Sequence, residues 1–221
     1  MKKTEIILIR HGETVWNSQQ RMQGHSNSDL SSVGQAQIQA LGQWMKIVPF
    51  DHIYSSDSLR AKQTAEAITQ FSGHDLKIDI RLREKNLGVF EGLTSEEARE
   101  RHPEVFRLFK TAGSKYVIDE GESTKQLQDR ALEIVDEIRI KHPEESVLLV
   151  THCGFIRVVM KHSLGLSLET PTRFLIRNTG VFRLVWEDKW IVSQMGGVSH
   201  LEKMKESVLS GWSETVTKVH L

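Results

Sequence analysis

Short apolar segments alternate with amphipathic helical patterns along most of this chain, and this alternation restricts the folds that it can adopt. Strand-like runs of apolar and β-branched residues cover residues 4–10, 51–55, 76–80 and 146–151. Such runs are typical of strands that are buried on both faces of a sheet. The sequence therefore predicts an α/β fold, with a mostly parallel central sheet that is flanked by helices on both faces.

Three helical patterns lie between the predicted strands. The first opens with Ser32 and Gln35, which have the spacing of a capping box. The last carries apolar residues at a helical period and is predicted to end at His142-Pro143, because the residue before a proline disfavours helical backbone. The three patterns cover residues 32–47, 58–72 and 122–141.

A single domain is predicted over residues 1–221, because the chain carries no internal repeat and no Pro/Gly/Ser-rich linker. Two strands are predicted around Glu187-Asp188 and are expected to complete the sheet at one edge. The stretch Asn178-Thr179-Gly180 is interpreted as an ordinary turn into the first of these strands rather than as part of a pocket rim. For residues 203–221, packing on the domain, a loose tail and a homodimer contact all stay open.

The charge balance and the cysteine content bear on the environment and the partners of the protein. Lys plus Arg number 29 and Asp plus Glu number 29, so no net field attracts nucleic acid or an anionic membrane. Cys153 is the only cysteine, which excludes an intrachain disulfide and fits a reducing compartment. The apolar run Ile6–Ile9 is too short for a signal peptide or a membrane span. We therefore expect a soluble, cytoplasmic protein that binds neither nucleic acid nor membrane.

Unusual polar residues follow each of the four predicted parallel strands. Because the carboxyl ends of parallel strands meet at one edge of a sheet, where α/β proteins build their ligand sites, these residues are expected to converge. The set contains two histidines, two arginines and one carboxylate, and this combination is more informative than any of its members alone. In chain order, the residues are Arg10-His11-Gly12, then Ser55, Ser56 and Arg60, then Glu84, and finally Thr151-His152-Cys153-Gly154.

Two kinds of ligand suit this set of residues. Two imidazoles and a carboxylate can bind zinc, but Arg10 and Arg60 would repel a cation. Planar guanidinium groups instead match the oxygens of a phosphoryl group, so we predict a phosphate site with no metal and no cofactor. Gly12 lets the backbone approach the anion closely, and Asn17 with Gln23-Gly24 could supply neutral donors.

A neutral imidazole in such a pocket is a competent nucleophile toward phosphorus and can form a phosphohistidine. The departing oxygen then needs a proton, which a carboxyl group at the pocket entrance could supply before it activates the attacking water. Glu84 is the candidate for this role. Glu13 and Glu91 are the alternatives, although both are interpreted here as capping or loop-structuring groups.

Six segments of the chain resemble motifs of the histidine phosphatase superfamily, which has the phosphoglycerate mutase-like fold. The segments are LIRHGETVWN, QGHSNSDLSSVGQAQ, YSSDSLRAKQTAEAI, LREKNLGVFEG, GESTKQLQDRA and VTHCGFIR, and they occur in the family's order from residue 4 to about residue 160. The resemblance implies that His11 is the phosphorylated nucleophile and that Glu84 donates the proton. It also implies that the phosphoryl group is clamped by Arg10, Arg60 and His152. The pocket would be lined by Asn17, Gln23 and Gly24.

Cys153 follows the second histidine, where relatives often have glycine or another small residue, and it raises the alternative of a cysteine-dependent phosphatase. Those enzymes have five residues between the cysteine and an arginine. Here the required position is Val159, and Arg157 comes two positions early. The alternative also leaves His11 and Glu84 without a role. Cys153 is therefore predicted to be a small, buried filler.

Residues 88–120 are predicted to form a short helical lid. The segment SEEARERHPEVFRLFK predicts one helix, with an apolar face that carries Val105, Phe106 and Phe109. The basic residues of this helix are expected to form surface ion pairs with its glutamates rather than to bind a substrate anion.

A phosphatase, a mutase and a non-catalytic phosphate-binding scaffold are the three functions that this site leaves open. Cofactor-dependent mutases resemble one another in having Arg-His-Tyr-Gly after the glutamate and a long basic insertion. Here Lys85-Asn86-Leu87-Gly88 follows Glu84, and the insertion is short. A scaffold is disfavoured because none of the expected catalytic residues is replaced. The sequence therefore favours hydrolysis of a small phosphomonoester, whose identity it does not determine.

Overall fold

The four runs predicted as parallel strands form the centre of a six-stranded sheet, and the strand pair predicted near the C-terminal end is added at one side. The computed structural model describes residues 3–202, so the predictions made for residues 203–221 lie outside the described residues. The strands are β1 (Glu5–Arg10), β2 (His52–Ser55), β3 (Leu76–Ile78), β4 (Ser146–Thr151), β5 (Val181–Glu187) and β6 (Lys189–Gly197).

The strand order is β3-β2-β4-β1-β5-β6. Strands β1 to β4 pair in parallel, whereas β5 is antiparallel to both β1 and β6. The mostly parallel sheet is therefore confirmed, and β6 forms its edge as expected for the strand pair. Asp188, between β5 and β6, has φ of +45°, which is a conformation of tight turns.

Helices cover both faces of the sheet, as predicted. Successive side chains of a strand point to opposite faces. Ile7 and Ile9 of β1 accordingly pack in one core and Ile6 and Leu8 in the other. The first core is closed by helices α2 (Ser32–Met45) and α3 (Leu59–Ser72), and the second by α6 (Thr124–Lys141) and α7 (Cys153–Ser163). The remaining helices are α1 (Val15–Ser18), α4 (Ser95–Arg101) and α5 (Pro103–Thr111), with 3₁₀ turns at Ile80–Leu82, Gly88–Phe90 and Ser199–Leu201.

Helix α2 begins at Ser32, as predicted, but the residue that caps it differs by one position from the prediction. The hydroxyl of Ser31, rather than that of Ser32, caps the helix by accepting a hydrogen bond from the backbone N–H of Gly34 at 3.0 Å. The predicted Ser32–Gln35 capping box is therefore wrong. Ser31 is selected by a tertiary contact, because its N–H and its hydroxyl both donate to Glu13.

The segment predicted as one helix of a lid contains two helices, α4 and α5, because Pro103 begins a new helix. Proline is tolerated in the first turn, where its missing N–H is not needed, but not in a helix interior. The apolar side chains of both helices form a cluster of their own, with Phe90, Ala98, Phe106 and Ile118 at its centre. Residues 88–120 thus have a small core that is separate from the two cores on the sheet. Within residues 3–202, no helix is long and apolar enough to cross a membrane.

Candidate active site

The carboxyl ends of β1 and β4 place two imidazoles side by side. The two strands are neighbours in the sheet with Arg10 opposite Thr151, so the residues that follow them emerge at the same edge. The ring centroids of His11 and His152 lie 5.2 Å apart, and both side chains are buried. Nε2 of His152 lies 2.9 Å from the hydroxyl of Ser56, which follows β2. Three strand ends therefore meet at this point.

His11 has the hydrogen bonding of a neutral imidazole with a free electron pair. Its Nδ1 lies 2.7 Å from the carbonyl oxygen of Gly12, so Nδ1 carries the proton and Nε2 carries the free electron pair. Burial lowers the pKa of His11 well below its ordinary value, and the positive charges of Arg60 and Arg10 lower it further. The same two causes lower the pKa of His152. Both rings are therefore neutral at physiological pH.

Two arginines accompany the histidines. Arg60 lies in the first turn of α3, and its buried guanidinium donates to the carbonyl oxygens of Gly24 at 2.8 Å and Ser26 at 2.9 Å. Burial lowers the pKa of Arg60 to about 10, so the group is still charged at neutral pH. Arg10 donates from Nη1 to the carbonyl oxygen of Ile176 at 2.7 Å. Both cations are thus held in place by backbone oxygens.

Some buried nitrogen atoms of this cluster have no hydrogen-bond partner among the residues that the structure describes. Leaving a buried donor unpaired costs about 1–3 kcal/mol. A bound oxyanion would provide acceptors for such donors, whereas a metal ion would be repelled by the two guanidinium groups. The arrangement therefore suits a phosphoryl group. The unpaired atoms are Nε of Arg10, Nε of Arg60 and Nδ1 of His152.

Glu84 reaches the cluster from the segment that follows β3, and its side chain is half-buried. Its carboxylate accepts hydrogen bonds from the backbone N–H of Lys85 at 2.8 Å and from that of Gly154 at 2.9 Å. Gly154 lies in the first turn of α7, and any side chain there would overlap the carboxylate. Glycine at this position thus allows Glu84 to lie against the turn that begins just after His152.

Arg130 on α6 holds the segment that carries Glu84, a contact that spacing along the chain did not indicate. Its guanidinium donates to the carbonyl oxygens of Arg81 at 2.8 Å, Arg83 at 2.7 Å and Glu84 at 2.7 Å. It also forms an ion pair with Glu122 at 2.6 Å. Both partners of that ion pair lie in the segment GESTKQLQDRA, which was recognised as a family-like motif. No role was predicted for either residue.

Arg130→Met is expected to lower kcat/KM about 10- to 100-fold, because three carbonyl oxygens lose their donor and the carboxylate of Glu84 is no longer held in one position. If Glu84 donates the proton, as the sequence predicts, the loss should be larger for alkyl than for aryl phosphates, which need less proton donation. Steady-state kinetics on both kinds of substrate would test this. The matched control is Arg139→Met on the same helix, because Arg139 is also partly buried but packs on the ring of Trp186 and not on the Glu84 segment. Equal losses on both substrates together with a lower melting temperature would mean that Arg130 only stabilises the fold.

The three predicted pocket-lining residues lie between β1 and α2, with Asn17 in α1 and with Gln23 and Gly24 in the loop that follows it. Oδ1 of Asn17 accepts from the backbone N–H of Thr14 at 3.2 Å and completes the capping box of α1. Nε2 of Gln23 donates to the Thr14 hydroxyl at 2.7 Å. Gly24, whose φ of +55° favours glycine, presents its carbonyl oxygen to Arg60. These residues hold the loop around Arg60, and their contact with a substrate stays a prediction.

The two alternative carboxylates make loop contacts, in agreement with their interpretation from the sequence. The carboxylate of Glu91 accepts from the backbone N–H groups of His25 at 2.7 Å and Ser26 at 2.8 Å. Glu13 accepts from the hydroxyl of Ser31 at 2.7 Å. Both residues therefore organise the loops on either side of the cluster.

Cys153 is not the buried filler that was predicted. It is the first residue of α7 and is only partly buried, with Sγ 3.4 Å from Nη2 of Arg157. The buried face of this helix includes Phe155 and Ile156 but not Cys153. The position at the helix start therefore leaves the thiol outside the fully buried part of the core.

The stretch Asn178-Thr179-Gly180 forms a turn into β5, as predicted, and the backbone N–H of Gly180 donates to the carbonyl oxygen of Arg177 at 3.0 Å, but the turn also contacts the end of β1. The side-chain amide of Asn178 donates to the carbonyl oxygen of His11 at 3.0 Å, and the backbone N–H of Thr179 donates to that of Arg10 at 3.0 Å. Thr179 has φ of +55°, which is unusual for a β-branched residue. The contact with the end of β1 imposes this conformation, which no local sequence signal indicates.

The buried imidazole of His200 supports this turn, because its Nε2 lies 2.9 Å from the hydroxyl of Thr179. Burial lowers the pKa of His200 to about 4. In the unfolded chain the imidazole is protonated below about pH 6.5. The unfolded state therefore binds more protons between these two values, so the free energy of unfolding should fall as the pH drops from 6.5 to 4.

We expect His200 to contribute about 1–3 kcal/mol to this acid destabilisation, as an order of magnitude. Urea unfolding at pH 7 and pH 4.5, compared between the unchanged chain and His200→Gln, would isolate that contribution from those of His11 and His152. The variant should lose less stability on acidification. Parallel losses in both proteins would show that His200 is protonated in the folded state.

Comparisons with known proteins agree on one group of relatives. A family model described as the histidine phosphatase superfamily (branch 1) matches residues 6–195. Phosphoglycerate mutase-like protein 4 of Arabidopsis thaliana is 36% identical over 202 residues, which cover 90% of this chain and 87% of that protein. The structure of Bacillus stearothermophilus YhfR has a TM-score of 0.81 and 35% identity, covering 90% of this chain and 100% of that one. Mycobacterial glucosyl-3-phosphoglycerate phosphatase, solved with VO3, has a TM-score of 0.77 and 25% identity, with 87% and 99% coverage.

Proposed function

The chain belongs to the histidine phosphatase superfamily and has the phosphoglycerate mutase-like fold, and we propose that it hydrolyses a small phosphomonoester through a phosphohistidine. The family and its relatives support an enzyme of phosphatase or mutase type. The observation that carries the proposal is the neutral, buried imidazole of His11 beside two fixed guanidinium groups.

In the proposed first step, Nε2 of His11 attacks phosphorus. The P–N bond forms while the P–O bond to the departing alcohol breaks, and Glu84 gives its proton to the departing oxygen. Arg10, Arg60 and His152 stabilise the negative charge on the non-bridging oxygens. Because the lowered pKa keeps His11 neutral, the nucleophile needs no prior deprotonation at physiological pH.

In the proposed second step, the carboxylate of Glu84 accepts a proton from a water molecule as that water attacks the phosphoryl group. The new P–O bond replaces the P–N bond, inorganic phosphate leaves, and His11 returns to its neutral form. Glu84 is again protonated and ready for the next substrate. The two steps together consume one phosphomonoester and one water, and they release one alcohol and one phosphate.

The insertion at residues 88–120 supports hydrolysis rather than a mutase reaction. A mutase must retain a doubly phosphorylated intermediate, which needs further cations directed at a second phosphate. In this insertion, Arg107 forms an ion pair with Glu104, and the guanidinium of Arg99 lies over the ring of Phe106. Lys85, which directly follows Glu84, donates to the hydroxyl of Thr124 at 3.1 Å. These cations therefore have partners within the protein.

A mutase activity is the second candidate, because the Arabidopsis relative is named as phosphoglycerate mutase-like. The experiment that separates the two is a panel of phosphomonoesters, including 3-phosphoglycerate, a sugar phosphate and phosphoserine. Phosphate release and the isomerisation of 3-phosphoglycerate would be followed in the same samples. Release from one compound without isomerisation would support the phosphatase. Formation of 2-phosphoglycerate without phosphate release would contradict it.

Turnover is expected to stay within about twofold of its starting value after treatment with a chelator, because guanidinium groups supply the positive charge that a metal ion would otherwise provide. The measurement is the rate of phosphate release before and after EDTA treatment and gel filtration. Loss of activity that a divalent ion restores would overturn the proposed metal-independent mechanism.

The proposed substrate is a small phosphorylated metabolite of the cytoplasm. The balanced charge of the chain gives no general attraction for polyanions, and the single cysteine fits a reducing compartment. The mycobacterial relative is named for glucosyl-3-phosphoglycerate. Compounds that carry a carboxylate or a sugar near the phosphate should therefore be tested first.

A further inference from the structure

A second group of chemically active side chains lies at the opposite end of the sheet from His11. His52 is the first residue of β2, Glu145 directly precedes β4, and His142 directly follows α6. The residues that approach the phosphate site follow the other ends of β2 and β4. Because a parallel strand advances about 3.3 Å per residue, the length of β4 separates the two sites by about 17 Å. This group is named the His-His-Glu cluster below.

The donor atoms of the His-His-Glu cluster point at one another. Nε2 of His52 and Nδ1 of His142 each lie 2.9 Å from the same carboxylate oxygen, Oε2 of Glu145. The potential ligand atoms of the three residues all lie within 4.8 Å of one another. Ligand atoms around a tetrahedral zinc ion are separated by a little over 3 Å, so small side-chain movements would bring all three into contact with one ion.

The surroundings of the cluster resemble those of a metal ligand set. The hydroxyl of Tyr54 lies 2.9 Å from Nε2 of His142, the nitrogen that does not face Glu145. Metal-binding imidazoles commonly use their second nitrogen in this way, which fixes the ring orientation. The side chain of His142 is 7% exposed, whereas those of His52 and Glu145 are 29% and 39% exposed. The cluster is therefore anchored on its inner side and accessible to an ion from the solvent.

We propose that His52, His142 and Glu145 form an accessory binding site for a borderline divalent cation, with Zn²⁺ as the fitting example. Two imidazole nitrogens and one carboxylate oxygen are typical zinc ligands, and water completes the coordination from the exposed side. Here no arginine takes part, in contrast with the phosphate site. The ion would link the end of α6 to the starts of β2 and β4, so its effect is on stability and not on phosphoryl transfer.

Two lysine charges act against the ion, and one of them is that of Lys141, whose Nζ lies 6.0 Å from the ring centre of Tyr54. Lys77 lies on β3, the strand next to β2, and its Nζ is 5.2 Å from the ring centre of Tyr54. The positive charge of Lys77 also acts on His142. Lys77 is partly exposed, so solvent weakens this repulsion. Lys77→Gln is accordingly expected to tighten zinc binding, by about two- to threefold, without adding a ligand.

The alternative is a cluster held by hydrogen bonds alone, in which both imidazoles donate to Glu145 and no ion binds. Calorimetric titration of chelator-treated full-length protein with Zn²⁺ distinguishes the two. We expect one equivalent to bind, with affinity at least about 100-fold weaker in His142→Gln, because a ligand is removed rather than a supporting contact. His52→Gln is a second variant that does not disturb Tyr54, and the exposed His162→Gln is the matched control.

Two further readouts accompany the titration. Zn²⁺ should raise the melting temperature of the unchanged chain and of His162→Gln but not that of His52→Gln, and Co²⁺ should give visible absorption bands that are absent from His52→Gln. Phosphatase activity should not depend on the ion. Binding of Zn²⁺ that is undiminished in both His52→Gln and His142→Gln, or no saturable binding to the unchanged chain, would overturn the proposal. Neither result depends on the proposed phosphatase function.

Discussion

His11→Ala is expected to lower the turnover of every phosphomonoester substrate by at least about 10⁴-fold while the protein stays folded. The proposed mechanism needs a nucleophile at phosphorus, and the two arginines that would hold the phosphoryl group cannot replace it. Folding should persist because the imidazole is neutral and buried, so its removal leaves no unpaired charge. The loss of packing around residue 11 should not unfold the protein, because strand β1, which directly precedes it, is paired with a strand on each side.

The measurement has two parts. Rapid quenching with substrate labelled in its phosphate should trap label on the unchanged protein, in an acid-labile and base-stable form, and no label on His11→Ala. Thermal unfolding should show that the variant is folded, and His162→Ala, at an exposed position on α7, is the matched control. Turnover near normal in His11→Ala would overturn the mechanism. Normal labelling of the variant would assign the phosphohistidine to another residue.

Glu84→Gln is expected to lower kcat/KM for an alkyl phosphate by about 10²-fold or more, and for an activated aryl phosphate by less than about tenfold. The amide keeps the size of the side chain but cannot give up a proton. A poor leaving group needs that proton in the transition state, whereas a stabilised phenolate does not. The quantity kcat/KM is the appropriate one, because it reports the steps up to formation of the phosphohistidine and excludes the hydrolysis that both substrates share.

Glu13→Gln is the matched control for this prediction, since Glu13 is half-buried, lies two residues after His11 and was an alternative proton donor from the sequence. Its carboxylate accepts from Ser31, so the amide should cost activity little. A large, substrate-dependent loss in Glu13→Gln with a small one in Glu84→Gln would exchange the two roles. Equal losses on alkyl and aryl phosphates in Glu84→Gln would show that Glu84 positions the substrate instead of protonating it.

The regular elements were predictable because their signals are local. An uninterrupted apolar run marks a strand that is covered on both faces, and β1 and β4 lie where such runs occur. The rule that sites form at the carboxyl ends of parallel strands then predicted, from the sequence alone, that His11 and His152 lie close together. The capping error arose because a tertiary contact decided between two locally equivalent residues. Ser31 and Ser32 are equally suitable caps by sequence, and only the contact with Glu13 selects the first.

The sequence by itself determined the fold class, the family and the residues expected to handle a phosphoryl group, because strand period, helix period and motif spacing are properties of neighbouring residues. Only the tertiary structure decided how those residues are supported. Arg130 reaches the Glu84 segment from a helix 46 positions later, and Asn178 reaches the carbonyl of His11 across 167 positions. The His-His-Glu cluster likewise joins β2 to a loop 93 positions away. Such pairings depend on how the chain folds back on itself, and no local pattern encodes them.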